Sequence, residues 1–381
     1  MSLSLPPYEP QPWLAGRWLA IVPGGFLTAV LAVALILGLT AASAPPEGAS
    51  ILDGTWASTF EHRLDDAIGT RQVGLPLFGA LEYLLFGSGR KGVVVGSEGW
   101  LFSSEELEQH PHEAVTLAER QALIQAVSRF LGAKGIGLRV ALIPSKARIY
   151  AQKLGRLRFP AVSSARYEPF RRGLVQAGVD APDLVAPLQA GAESAPMFLR
   201  TDTHWTPAGA KRAADALAAG LSFPERGQKP SRLELRAAEL HSGDLLKFLP
   251  MGPFSALGPQ PDSVTSFRAV PDAGAGAEAL LGDALFGDAR IPVTLIGTSY
   301  SKDTRWGFAS ALRVSLGAEV LDAAQEGRGP FAPMLAYLEN PAFRESPPSV
   351  VIWEIPERYL AAPTELSGHE ATLNRLGLGG G

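Results

Sequence analysis

The chain of 381 residues contains no cysteine, which excludes disulfide bonds, thiolate metal sites and cysteine nucleophiles. It also has no excess of basic residues, because the formal net charge is −4, so nothing in the overall charge points to nucleic acid. Asparagine is nearly absent and occurs only at Asn340 and Asn374. What is present is a chain that is 46% hydrophobic and long enough for one large or two medium domains.

A charge-free apolar run extends from Trp18 to Ala44. It is longer than the roughly 20 residues that a helix needs to span a bilayer. Arg17 precedes the run, so the positive-inside tendency places residues 1–17 in the cytoplasm and the bulk of the chain outside it. A cleaved signal peptide is the alternative, because Ala42-Ser43-Ala44 resembles a cleavage site. Pro45 and the length of the run favour an uncleaved, single-pass anchor in the inner membrane, with the soluble part in the periplasm.

Residues 45–90 are expected to form a linker and a helical lead-in, with an amphipathic helix over 56–69. Two short strands around a Gly-containing turn are predicted within 91–102. Further strands are predicted at 138–143, 183–185, 291–296, 319–321 and 349–353, and helices at 117–134, 166–177, 208–219, 304–316 and 331–339. This alternation predicts an α/β fold with a mostly parallel sheet covered by helices on both faces. The domain is expected over 91–365, with an irregular insertion at about 224–288 that has room for a small β element, and a flexible tail at 366–381.

A carboxylate and an imidazole lie two residues apart just before a predicted helix start. Thr206 is a suitable N-cap and Pro207 suits the first helical position. In an extended segment, residues two apart point to the same side, so Asp202 could orient His204 and support its positive form. A polar loop that merely caps the helix is the alternative.

A serine follows the strongest apolar strand, which ends at Ile296. Gly297 permits a tight turn, and Ser299 falls where a hydroxyl could face a site at the carboxyl end of the sheet. The N–H groups of a turn entering a helix can also stabilise an oxyanion. With Asp202 and His204, Ser299 would complete a Ser-His-Asp set. The alternative is that Ser299 only caps the next helix.

Charged and aromatic residues flank these candidates. Lys146 and Arg148 follow the strand 138–143 and could bind an anionic sugar or steady an oxyanion, while structural ion pairs with the glutamates of 354–357 are the alternative. Trp205 and Tyr300 could form a sugar-stacking surface, and core packing is equally compatible with their positions.

Five motifs then occur in a specific chain order: Gly99–Phe102, Ile143–Tyr150, Thr201–Pro207, Gly297–Ser301 and Trp353–Arg358. In this order they resemble the SGNH-hydrolase-like O-acetyltransferases of bacterial exopolysaccharide modification, the alginate O-acetylation proteins of the J and X types. The resemblance covers roughly residues 93–360. It implies a catalytic set at Ser299, His204 and Asp202.

The resemblance implies an O-acetyltransferase that adds acetyl groups to hydroxyls of an alginate-like exopolysaccharide through an acetyl-enzyme. It implies no cofactor and no metal, an acetyl donor supplied by an integral membrane O-acyltransferase, and other polysaccharide acetylation or export subunits as partners. The J type is nearer, because the sequence ends soon after the last predicted strand and leaves no room for the carbohydrate-binding module of the X type.

Two alternatives remain at this point: a carbohydrate acetylesterase with the same triad, and a non-catalytic polysaccharide-binding subunit of an export complex. Neither asparagine lies near a motif, so the backbone N–H of Ser299 is the only oxyanion donor that the sequence predicts.

Overall fold

The computed structural model describes residues 54–68, 70–272, 290–363 and 366–378, together with isolated helical positions between 25 and 36. The anchor predicted over 18–44 falls mostly outside the described residues. Among the helices of the described ranges, none has the length and apolar character needed to cross a bilayer.

The chain divides into two compact units. The first comprises Met1–Leu81 and Pro250–Phe254. Its described part contains α1 (Thr55–Ile68), which confirms the predicted amphipathic helix, and most of α2 (Thr70–Phe86). The second unit comprises Glu82–Leu249 and Ser255–Gly381 and contains the sheet and the candidate site.

The second unit alternates helices and strands along most of its length. Its helices are α3 (Glu113–Gly132), α4 (Lys146–Ile149), α5 (Ala161–Gln176), α6 (Val185–Ala192), α7 (Pro207–Ala218), α8 (Ser299–Lys302), α9 (Phe308–Leu316), α10 (Phe331–Glu339), α11 (Pro341–Glu345) and α12 (Glu370–Arg375). Its strands are β1 (Val93–Val95), β2 (Leu101–Ser103), β3 (Gly137–Ile143), β4 (Ser231–His241), β5 (Asp262–Pro271), β6 (Val293–Ile296), β7 (Val320–Asp322) and β8 (Val350–Pro356). Short 3₁₀ turns occur at Ser104–Glu106, Ala151–Lys153, Asp244–Phe248, Gly252–Leu257 and Glu357–Tyr359.

Four parallel strands form the central sheet, in the order β3-β8-β6-β7. Gly137 and Val293 both lie opposite Val350, and Val293 also lies opposite Val320. Successive strand residues face different cores: Ile143, Leu295 and Ile352 pack with α7 and α9, whereas Leu142, Ile296 and Trp353 pack with α3, α5 and α10. The predicted parallel sheet with helices on both faces is therefore confirmed. Because the strands are parallel, their carboxyl ends meet at one edge.

The stretch predicted to be irregular contains a β hairpin. Strands β4 and β5 pair antiparallel, with an irregularity in register between Leu235 and Ala238. Leu233 and Leu235 alternate with charged residues, which is typical of a half-exposed strand, so the sequence did carry a signal for β4. Residues 273–289 of the predicted insertion lie outside the described residues.

Two other local predictions are wrong. The strand expected at 183–185 is a helix start, because the carboxylate of Asp183 accepts the N–H of Val185 at 2.9 Å and thereby caps α6. The helix expected over 304–316 begins only at Phe308. Gly307, with φ 68°, takes the left-handed conformation that glycine favours and separates α8 from α9.

Candidate active site

Asp202 and His204 lie in a tight loop that an antiparallel bridge between Phe198 and Trp205 closes. The N–H of Leu199 donates to the carbonyl of His204 at 3.1 Å across this loop. The expected extended segment is therefore wrong. The two side chains meet because Oδ1 of Asp202 accepts both the backbone N–H of His204, at 2.9 Å, and its Nδ1, at 2.6 Å.

The helix start after this loop is as predicted. Thr206 is the N-cap of α7 and its hydroxyl accepts the N–H of Gly209 at 3.1 Å, while Pro207 is the first helical residue. A Cβ on Gly209 would lie 2.0 Å from the carbonyl oxygen of Met197, so only glycine lets the helix approach the loop this closely.

Ser299 is the first residue of α8, directly after the turn that leaves β6. Its Oγ lies 2.7 Å from Nε2 of His204, whose Nδ1 lies 2.6 Å from Asp202. An ionised carboxylate only accepts hydrogen bonds, so Nδ1 carries the proton and Nε2 is left to accept the serine proton. This is the tautomer that a general base requires.

The second oxygen of Asp202 is also fully engaged. Its Oδ2 accepts the backbone N–H of Asp244 at 3.0 Å and Nε2 of His241 at 2.7 Å. Burial would raise the pKa of Asp202, but the hydrogen bonds from His204 and His241, together with the N–H of Asp244, outweigh it and hold that pKa well below its usual range. The carboxylate is therefore ionised at any physiological pH.

His241, Arg305 and Trp306 complete the surroundings of the triad, and sequence reasoning missed all three. His241 ends β4, and its Nδ1 lies 2.8 Å from Nη1 of Arg305. The ring of Trp306 stacks on the ring of His204, with 5.4 Å between the ring centroids. Trp306 and His241 pack in an edge-to-face arrangement, with 5.3 Å between their centroids. No short motif marks these residues in the sequence, and no bounds were predicted for the strand that carries His241.

Beneath the serine turn lies a fully buried carboxyl, Glu354 of β8. It accepts the N–H of Thr298 at 2.7 Å and the hydroxyls of Thr298 and Ser301, each at 3.0 Å. Burial raises the pKa of Glu354 to about 7, although these hydrogen bonds partly offset it. A Cβ on Gly297 would lie 2.3 Å from Oε2 of Glu354, so glycine at this position lets the turn approach the carboxyl closely.

The structure places Lys146 and Arg148 in internal networks. The ammonium of Lys146 is buried and donates to the carbonyls of Leu101, Arg200 and Asp202, the last two at 2.9 Å. Burial lowers the pKa of Lys146 to about 8. The guanidinium of Arg148 pairs with Glu357 and donates to the carbonyls of Ser163 and Ser164. These contacts match the structural alternative and correct the expectation that the two cations face a sugar.

Trp205 and Tyr300 are core residues, with relative exposures of 0% and 3%. The indole N–H of Trp205 donates to the carbonyl of Tyr300 at 3.1 Å, and the hydroxyl of Tyr300 donates to the carbonyl of Thr203. Their burial corrects the expectation of a sugar-stacking surface. Instead, these two residues hydrogen-bond the loop that carries His204 (the histidine loop) to the turn that carries Ser299 (the serine turn).

Asp202, His204 and Asp244 bring possible metal-ligand atoms within 4.8 Å of one another. These donors are already committed within the protein. Both ring nitrogens of His204 are hydrogen-bonded, and the carboxylate of Asp244 accepts the N–H of Thr203 at 2.8 Å and its hydroxyl at 2.7 Å. The cluster therefore fits a hydrogen-bonded triad, and we assign no ion to it.

Residues 93–357 match the family model described as the SGNH hydrolase-like domain of the acetyltransferase AlgX. The chain belongs to this family. It is 40% identical over 357 residues to a probable alginate O-acetylase AlgJ of Azotobacter vinelandii, with 92% of this chain and 91% of that protein covered. Its identity to the probable alginate O-acetylase AlgJ of Pseudomonas aeruginosa is 38% over 357 residues, covering 91% and 90%.

Among solved structures, the O-acetyltransferase domain of Pseudomonas putida AlgJ is similar, with a TM-score of 0.67 and 37% identity over 75% of this chain and 98% of that one. The family predicted from the five motifs is therefore confirmed. The SGNH-hydrolase-like α/β fold and the enzyme class, an O-acetyltransferase, are confirmed with it.

Proposed function

We propose that this protein transfers acetyl groups to hydroxyls of an alginate-like exopolysaccharide, with Ser299 as nucleophile, His204 as general base and Asp202 as the orienting carboxylate. The contact that carries the proposal is the 2.7 Å approach of Ser299 Oγ to His204 Nε2, on an imidazole whose other nitrogen is held by Asp202. The names of the AlgJ relatives, probable alginate O-acetylases, support the polymer class.

In the first half of the reaction, His204 takes the hydroxyl proton as Ser299 Oγ bonds to the acetyl carbonyl carbon of the donor. The tetrahedral intermediate collapses by breaking the bond to the donor's leaving oxygen, which receives the proton from His204. The backbone N–H of Ser299, at the start of α8, is the proposed oxyanion donor. An acetyl ester on Ser299 results.

In the second half, a sugar hydroxyl loses its proton to His204 and its oxygen bonds to the same carbonyl carbon. The bond to Ser299 Oγ breaks, and Ser299 regains the proton. His204 is positively charged in both halves, close to the start of α7, whose partial positive charge disfavours an imidazolium. The ionised Asp202 offsets this effect and also fixes the tautomer.

We further propose that residues 18–44 anchor the chain in the inner membrane and that the catalytic unit lies in the periplasm. There an integral membrane O-acyltransferase would supply the acetyl group, so the chain would need no cofactor of its own. Other polysaccharide acetylation and export subunits are the expected neighbours. The apolar, charge-free composition of 18–44 supports the anchor.

The test uses an activated acetyl ester as donor and mannuronate oligomers as acceptor, with acetylated oligomer and free acetate measured separately. We expect Ser299→Ala to lower transfer by about 10³-fold or more without loss of folding. Ser315→Ala is the matched control, because the Ser315 hydroxyl binds only Asp215 among the contacts described for it. Transfer that survives in Ser299→Ala contradicts the mechanism.

The same assay separates the alternatives. An acetylesterase would release acetate and leave the oligomer unmodified, because water would be its acceptor. A non-catalytic binding subunit would show neither reaction, and Ser299 would not be labelled by a sulfonyl fluoride.

A further inference from the structure

We propose that His241 is a positioning residue of the triad: it holds Oδ2 of Asp202 so that Oδ1 stays aligned with His204, and Arg305, which donates to the other ring nitrogen of His241, holds this imidazole in place. The kinetic part of this inference rests on the proposed function. The tautomer of His241 is independent of it.

Two imidazoles share the carboxylate of Asp202. His204 binds Oδ1 through its Nδ1 and its own backbone N–H, while Nε2 of His241 and the N–H of Asp244 bind Oδ2. A carboxylate held through one oxygen alone can rotate about its Cβ–Cγ bond. With donors on both oxygens the plane of the group is fixed, and with it the direction in which His204 is held.

Asp202 and Arg305 together determine which nitrogen of His241 carries the proton, because the ionised carboxylate only accepts hydrogen bonds. A guanidinium only donates hydrogen bonds, so Nδ1 of His241, at 2.8 Å from Nη1, must accept. The proton therefore lies on Nε2, from which His241 donates to Asp202. The opposite tautomer would set an N–H against the guanidinium and a lone pair against the carboxylate. Asp303 holds Arg305 in place through Nε, at 2.9 and 3.0 Å.

The packing keeps these groups in a common, shielded arrangement. The side chains of His204 and His241 are each only 12% exposed. Trp306, itself buried, contacts both rings, and the guanidinium carbon of Arg305 lies 5.1 Å from the Trp306 ring centroid. Loss of the His241 side chain would therefore remove one hydrogen bond to Asp202 and leave the hydrogen bond between His204 and Ser299 in place.

The kinetic test compares His241→Leu with His241→Gln, and uses His110→Leu, in the loop before α3, as the control. We expect His241→Leu to lower kcat on the order of 10- to 100-fold, the range for loss of a hydrogen bond to a charged group, with KM little changed. Gln should recover most of kcat, because its amide offers an N–H to Asp202 and an oxygen to Arg305. A Leu variant with the wild-type kcat overturns the proposal, as does a Gln variant no better than Leu.

The structural test is the ¹⁵N imidazole spectrum of the folded protein, recorded for the wild type, Ser299→Ala and Arg305→Met. We expect the Nε2–H tautomer of His241 in all three, because Asp202 accepts from Nε2, and a shifted Nδ1 resonance in Arg305→Met, in which Nδ1 loses its donor. The substitution is at a half-exposed side chain. A proton on Nδ1 in the wild type, or an unchanged spectrum in Arg305→Met, refutes the role of Arg305. Activity persisting in Ser299→Ala would instead refute the catalytic mechanism, so the two failures are distinguishable.

Discussion

Replacing Glu354 by glutamine should remove a pH dependence from the stability of the protein while keeping the serine turn in place. The carboxyl is buried against Gly297, and burial raises its pKa from 4.5 to about 7. A glutamine oxygen can still accept the N–H of Thr298. In the position of Oε2 this oxygen also keeps the hydroxyl of Ser301, and the amide nitrogen takes the position of Oε1, where the Thr298 hydroxyl at 3.2 Å can turn to accept from it.

The sign follows from the direction of the pKa change. The folded protein binds the Glu354 proton more tightly than the unfolded chain does. The stability that this proton contributes is therefore complete below about pH 4.5 and is lost as the pH rises through about 7. A pKa that rises from 4.5 to about 7 corresponds to about 3 kcal/mol.

Urea unfolding at pH 5 and pH 8 measures this difference. We expect the free energy of unfolding of the wild type to fall by about 2 to 3 kcal/mol more over this interval than that of Glu354→Gln. Glu106, whose pKa burial also raises to about 7, is present in both proteins and cancels in the comparison.

Glu168→Gln is the control, because Glu168 lies at the surface and its hydrogen bond with Arg171 lowers its pKa. It should leave the change between pH 5 and pH 8 as in the wild type. Equal pH dependence in the wild type and Glu354→Gln would refute the reasoning, since it would mean that Glu354 is ionised in the folded protein at pH 5.

Three further predictions concern the site and the core. Asp202→Asn should lower kcat of acetyl transfer by roughly 10³- to 10⁴-fold with folding retained by circular dichroism, because an amide favours the wrong histidine tautomer. Gly297→Ala should lower both the melting temperature and kcat, since its Cβ would meet Glu354 at 2.3 Å; Gly132→Ala, where nothing lies within 4 Å, should not. Arg139→Met should cost about 2 kcal/mol in urea unfolding and leave kcat unchanged, because it removes the donor to the carbonyls of Leu217 and Ala219 at the C-terminal end of α7.

The central sheet was predictable because its strands are buried on both faces. Apart from Arg139, Thr294 and Glu354, β3, β6 and β8 consist of apolar residues, and every position after Gly137 is buried. β4 is mostly exposed and bent by a register shift, so its alternation is short and mixed with charge. A strand that packs on one face alone has a much weaker hydrophobic pattern in the sequence than a strand that is buried on both faces.

The three triad residues were predictable, and their supports were not. Asp202, His204 and Ser299 lie in short motifs at a loop and a strand end, where local pattern and function coincide. His241 reaches the site from a hairpin whose pattern in the sequence is short and weak. Lys146 was misjudged for a different reason: its position beside the site is visible in the sequence, but the inward direction of its side chain depends on the packing.

The bonds between the histidine loop and the serine turn have a consequence for how the enzyme chooses its substrates. Thr203 and Trp205, on either side of His204, both bind Tyr300, the residue after Ser299. Hydrogen bonds on both sides of His204 thus hold it against Ser299, and the two side chains are aligned in the absence of substrate. Under the proposed mechanism, acetylation of Ser299 by a reactive ester needs no rearrangement of these residues, and discrimination between water and a sugar hydroxyl falls to the second half of the reaction, when the acceptor binds.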